Sequence, residues 1–163
     1  MARRMLSFRD EHRLFSMRAA ALIEREGALL VQRNVAEHFW SLPGGRVEMG
    51  ESGSETLARE MREELGVEAS VGPLHLIIEN FFRFDGTDVH ELGLYYRSTL
   101  NAAFPFQLDA PCHRLTEGEV TLEFCWVPND EQHLTALPLY PASLRTWAHR
   151  VSDQPVHLVV RES

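Results

Sequence analysis

Apolar positions along this chain fall into two rhythms. Ala19 to Ile23 and Ala28 to Val31 are continuous apolar runs, separated by the turn dipeptide Glu26-Gly27. A strand buried on both faces reads this way, so Met17 to Arg25 and Ala28 to Arg33 are expected to form a hairpin. Farther on, Val67 to Val71 and Leu74 to Phe84 read as two strands interrupted by Pro73, and Asp85-Gly86 is a second turn signal. Val89 to Leu100 returns from it with Leu92, Leu94 and Tyr96 on one face at period two. Asn34 to His38 and the proline-containing stretch Asn101 to Thr116 are expected as loops, Glu119 to Val127 as a late strand, and Val156 to Val160 as an edge strand. Helical rhythm appears at Gly53 to Leu65, briefly near Asn129 to Leu134, and at Ala142 to Val151, which is expected to be the second major helix. Many strands with few helices predict a mixed sheet with helices packed on it.

The Gly53 to Leu65 segment has both of its ends written in. Ser52 with Glu55 three residues later is a capping-box pair, and Gly66 suits a left-handed C-terminal cap. At about 100° per residue, Leu57, Ala58, Met61 and Leu65 form an apolar stripe, while Glu60, Glu63 and Glu64 share another face. Like charges at that spacing repel by about a few tenths of a kcal/mol per pair. A hard divalent cation between them removes that penalty, because such ions take oxygen ligands. Arg59, four residues from both Glu55 and Glu63, offers a second explanation: a solvated helix face laced with ion pairs. Spacing alone leaves both open.

The longer string decides between them. Gly45, five residues, Glu51, seven residues, then Arg59-Glu60-Met61-Arg62-Glu63-Glu64-Leu65-Gly66-Val67 resembles the Nudix box at every fixed position. The lead-in Trp40-Ser41-Leu42-Pro43-Gly44-Gly45 is similar to many Nudix hydrolases as well. The resemblance implies an α/β/α sandwich with a mixed β-sheet. It implies Mg²⁺, with Mn²⁺ as the other choice, held by Glu60, Glu63 and Glu64 with Glu51 in support and Arg59 orienting the carboxylates. The expected reaction is hydrolysis of a phosphoanhydride in a nucleoside diphosphate linked to another group, such as a nucleoside triphosphate or a nucleotide sugar. Glu60, Glu63 and Arg59 are then catalytic candidates, joined by Glu119 as a carboxylate outside the box. Glu117 and Glu91 are alternative positions for the general base. Gly44, Gly45 and Arg46 are candidates for contacting the substrate, and Arg18, Arg33 and Arg83 are further candidates for phosphate contact. Phe81, Phe82 and Tyr140 are expected in the core, with a base pocket as the other possibility; Trp40 is expected in the core and His90 as a structural histidine. Two other readings compete: a nucleotide-sensing module that keeps the fold without hydrolysis, and an isomerase-like use of the metal. Retention of every box carboxylate argues against the first, and the short chain without an extra cysteine site argues against the second.

Charge narrows the partners. The net charge of -8 disfavours nucleic-acid polymers and anionic membranes, so a small polyanion would need a metal or local arginines. All 16 basic residues counted as Lys or Arg are arginine, which looks like codon bias and has no mechanistic meaning. Cys112 and Cys125 show no metal or disulfide spacing and read as free thiols in a reducing, cytoplasmic setting. No apolar run approaches a membrane span, and the N-terminus lacks the apolar stretch of a signal peptide. The expectation is one domain over residues 1–163, monomeric or homodimeric, with residues 1–15 an arm of undecided structure.

Overall fold

The computed structural model describes residues 2–162. Nine strands and three helices follow in the order β1 (Ser7–Asp10), β2 (Arg13–Arg25), β3 (Ala28–Asn34), β4 (Gly44–Arg46), α1 (Gly53–Leu65), β5 (Ala69–Phe84), β6 (Thr87–Leu100), β7 (Pro111–Glu117), β8 (Val120–Pro128), α2 (Glu131–Ala136), α3 (Leu144–Trp147) and β9 (Val156–Arg161). The strands form one mixed sheet in the order β7-β8-β3-β2-β6-β5-β9, with β1 and β4 also paired to β2. The β2–β6 and β5–β9 pairs are parallel and the others antiparallel.

The continuous apolar run of β2 is explained by cover on both faces. Ala19, Ala21 and Ile23 pack with Leu57, Met61 and Leu65 of α1 and with Trp126 of β8. Ala20 and Leu22 point the other way, toward Leu134 of α2 and Leu144 at the start of α3. Helices therefore lie on each side of the sheet, the expected sandwich. Each α1 apolar side chain buried this way contributes about 2 kcal/mol. Both tight turns are two-residue hairpins with positive φ at each central residue, Glu26-Gly27 at 50° and 77° and Asp85-Gly86 at 49° and 77°. That backbone matches the strand twist, which is why these dipeptides appear there.

Three expectations are corrected. Pro73 does not split the strand: β5 runs through it, with register shifts between Val71, Leu74 and Leu76. A bulge leaves a backbone position without a ladder partner, which is where a proline fits. The expected loop Asn101 to Thr116 ends early, because Pro111–Glu117 is strand β7. Pro111 opens an edge strand, where a missing N–H costs no ladder bond. The expected second major helix is only one turn, Leu144–Trp147. Its C-terminal carbonyls are taken by the sheet instead: His75 Nε2 lies 3.3 Å from the Trp147 carbonyl and Arg97 donates to that of Arg150.

The N-terminal arm is resolved as β1 and a strap. Leu6 N donates to the Val47 carbonyl (2.8 Å) and Met49 N to that of Arg4 (2.7 Å), so the strap runs along the segment leading into α1. Trp40 is half-buried against the core with the Arg33 guanidinium 4.7 Å above its ring. Both cysteines are free thiols. Among the described residues no helix is long and apolar enough to cross a membrane.

Candidate functional site

Helix α1 begins and ends as its sequence requires. Ser52 Oγ accepts from Glu55 N (3.1 Å), Glu55 Oε2 accepts from Ser52 N (3.2 Å), and Gly66 closes the helix at φ 68°. These caps fix the register that puts Glu60, Glu63 and Glu64 on one side. Strand β4 then approaches that side. A Cβ on Gly44 would strike the Ala19 carbonyl, and one on Gly45 would strike the Glu60 carboxyl. Glycine at both positions lets backbone pass between β2 and the carboxylates.

Arg59 stands at the centre of the acidic cluster. Its Nε donates to both oxygens of Glu51 (3.2 Å each), and its Nη1 donates to Glu60 Oε1 (2.9 Å) and Glu63 Oε2 (3.3 Å). Nη2 lies 3.4 Å from Glu48 Oε1. Burial opposes the guanidinium charge, yet the bonds to Glu51 and Glu60 outweigh it and hold Arg59 above its ordinary range. Glu48 was not singled out from the sequence; it occupies a variable position of the box, and no spacing rule marks it. Arg3 of the strap also enters, 3.0 Å from Glu63 Oε1 and 3.7 Å from Glu48 Oε1.

Among the described residues, no three acidic, histidine or cysteine side chains converge at metal-ligand spacing. The box carboxylates are gathered around a guanidinium, which supplies the countercharge here. Glu64 is the exception. Its Oε2 is buried with no hydrogen-bond partner, and burial, then the Glu60 charge, push its carboxyl up to about 8. An orphaned hard oxygen beside a second carboxylate is the donor chemistry a divalent cation requires, so these residues fit one in kind.

The other sequence candidates disperse. Glu119 lies exposed in the β7–β8 turn, whereas the charge of Glu117 on β7 is felt by Glu64. Strand β7 is further tied to α1 by His113 Nε2, which donates to the Glu64 carbonyl (2.8 Å). Arg33 is committed to the buried Glu123 (2.7 Å) and Arg83 to Asp88 (3.5 Å). Arg46 is exposed on β4, opposite Arg18 in register. His90 is exposed and stacks on Phe81 at 4.3 Å, away from the carboxylates.

A cleft of about 600 Å³ opens beside Leu42 and Tyr95 of the core that carries α2 and α3. Phe39, Phe82, Phe84 and Tyr140 line it, with Asn80 and Glu91 among its polar groups. Tyr140 is 43% exposed, so it belongs to the cleft rather than the core. Arg18 also lines the cleft, is held by Nη2 donating to the Leu42 carbonyl (2.8 Å), and reaches Glu64 electrostatically. Arg18 is one of the arginines the sequence offers for phosphate contact, with no spacing that ranks it above Arg33 or Arg83.

A carboxylate helix and an aromatic cleft are carried by one mixed sheet covered by helices on both faces. The NUDIX domain profile matches residues 14–148, and the chain belongs to the Nudix hydrolase family. It is 31% identical over 119 residues to a nucleoside triphosphatase NudI of Escherichia fergusonii, covering 67% of this chain and 79% of that one. It is 47% identical over 57 residues to a CTP pyrophosphohydrolase of Escherichia coli strain K12, covering 32% and 42%. The chain thus spans less than half the length of several curated relatives it matches. The solved structure of a MutT protein from Bacillus halodurans shares the fold, with a TM-score of 0.63 at 21% identity over 90% of this chain and 89% of that one.

Proposed function

We propose that this protein hydrolyses a phosphoanhydride bond in a nucleoside triphosphate or related nucleoside diphosphate derivative, using a divalent cation, Mg²⁺ or Mn²⁺. The observation that supports this reading most is the position of Arg18. Arg18 lines the aromatic cleft and its charge is felt by the Glu64 carboxyl, so a nucleotide seated in the cleft would direct its phosphates past Arg18 toward the carboxylates. Relatives named for nucleoside triphosphates and CTP point to the same substrate class.

Glu60 and Glu64, with Glu63, would hold the cation, and Glu51 would support them through Arg59. When bound, such an ion neutralises diphosphate charge and lowers the pKa of water. The chain's own residues do the rest. Arg59 fixes the rotamers of Glu51 and Glu60 through its hydrogen bonds. Glu63, exposed at the edge of the cluster, would accept a proton from water on leaving its contacts with Arg59 (3.3 Å) and Arg3 (3.0 Å). Glu117 is better placed than Glu119 to add a carboxylate from outside the box. Arg18 and Arg46 flank the path of the phosphates, and Gly44 and Gly45 keep backbone close to it.

The test is hydrolysis of nucleoside triphosphates, ADP-ribose, nucleotide sugars and dinucleoside polyphosphates with Mg²⁺, reading released phosphate and pyrophosphate. Glu63→Gln is expected to lower turnover by about 10² or more while the melting temperature stays near wild type. Equal turnover in the variant removes Glu63 from the chemistry. A flat panel combined with tight nucleotide binding replaces hydrolysis by nucleotide sensing.

A further inference from the structure

The cleft floor holds polar side chains that the carboxylate helix does not use. In the antiparallel register of β5 and β6, Asn80 lies directly opposite Glu91, and both line the cleft. Asn80 is 3% exposed, and its Oδ1 has no hydrogen-bond partner. A buried amide oxygen left without a donor costs about 1–3 kcal/mol, so at a cleft floor it marks a place where a ligand supplies the missing N–H. Burial raises the Glu91 carboxyl above its ordinary range, with Arg18 and Arg46 opposing the rise. In either protonation state that carboxyl keeps an acceptor oxygen. Two acceptors thus face each other across one strand pair.

The walls say what shape carries the donor. Phe39 meets Phe84 edge to face at 5.9 Å and Tyr140 at 6.2 Å. Phe84 and Tyr140 are 45% and 43% exposed, which leaves aromatic surface open for a flat ring. A ring bearing one amino group has two N–H donors on the same nitrogen, enough for both acceptors. A ring with a carbonyl oxygen at that position turns lone pairs toward them instead.

We propose that Asn80 and Glu91 read the base of the substrate, and that they select nucleobases carrying an amino group where uracil, thymine and hypoxanthine carry an oxygen. Cytosine and adenine nucleotides form the favoured class. This rests on the nucleotide-hydrolysis reading above and assigns Glu91 to base recognition instead of to proton transfer. The discrimination follows from leaving buried acceptors unpaired, which a hydrogen-bonding site penalises more heavily than a missing methylene.

Two matched pairs test it with the full chain and Mg²⁺: kcat/KM for CTP against UTP, and for ATP against ITP. The amino member is expected to win by about tenfold or more in each pair, the size of one well-made base contact. Asn80→Leu and Glu91→Leu, which each remove the acceptor, are expected to narrow the ratios to about threefold or less, with melting curves reporting whether each variant folds. Asn80→Asp, which keeps acceptor oxygens, is expected to retain the preference. Equal or inverted ratios in the wild type, with hydrolysis present, overturn base selection and leave the hydrolysis intact. A wild-type preference unchanged in a folded Asn80→Leu or Glu91→Leu protein overturns the assignment to these residues. Should no nucleotide be hydrolysed, calorimetric affinities for CTP and UTP decide separately: a tenfold preference supports base selection, and equal affinities overturn it.

Discussion

Removing Arg59 should expose how the acidic cluster is held together. Arg59→Ala takes away the cation that touches Glu51, Glu60 and Glu63 through hydrogen bonds and Glu48 through a 3.4 Å ion pair. The Arg59 side chain is only 14% exposed, so its charge is not a screened surface charge. Breaking a buried pair by deleting one partner costs about 3–5 kcal/mol, because the remaining charge is left uncompensated. Glu63 is 39% exposed and Glu51 23%, and water can solvate them after the loss. The expected cost is therefore at the low end, about 2–3 kcal/mol. For a chain of this size that lowers the melting temperature by about 4–12 °C. The assay is thermal unfolding without divalent ions, repeated in millimolar Mg²⁺ or Mn²⁺. In the variant Glu51 and Glu60 lose their cation while Glu48 and Glu63 keep only Arg3, so the cluster should attract a divalent cation and added metal should raise its melting temperature by more than it raises that of wild type. A variant that melts within about 2 °C of wild type, or one that gains nothing from divalent ions, would refute the account of Arg59 as the countercharge.

Other consequences follow from individual contacts. Gly45→Ala drives a methyl into the Glu60 carboxyl and should reduce turnover by about 10²-fold while circular dichroism stays native. Ser52→Ala deletes the cap of α1 and should cost about 1 kcal/mol, read as a small fall in melting temperature. His75 is buried, and burial followed by the Arg97 charge lowers its pKa below 6.5. The folded state then binds fewer protons than the unfolded state, so the contribution of His75 is complete above pH 6.5 and is lost as pH falls below it. His75→Gln should flatten the pH dependence of melting in that acid window.

The helix was legible from Ser52 to Gly66 because capping, periodicity and charge pattern are all local. Each involves residues within a turn or two, and α1 formed with those bounds. The tight hairpins at Glu26-Gly27 and Asp85-Gly86 were legible for the same reason, since positive φ at two successive residues restricts what can stand there. Strand β7 was missed because Pro111 signals a loop unless the edge of a sheet is known to be its neighbour. The over-long second helix was a failure of another kind. Apolar spacing from Ala142 to Val151 is helical, but the Trp147 carbonyl, which a helix reaching Val151 would pair with the Val151 N–H, meets His75, distant in sequence.

The chain by itself therefore determined the family, the carboxylate helix and the glycines beside it, all of which depend on short spacings with strong steric or electrostatic meaning. Tertiary structure alone decided who neutralises those carboxylates, that Arg3, Arg18 and Glu48 join Arg59 around them, and that Asn80 faces Glu91 beneath aromatic walls. Those partners lie on different strands, and strand register, set by burial of both sheet faces, is what brings them within reach of one another.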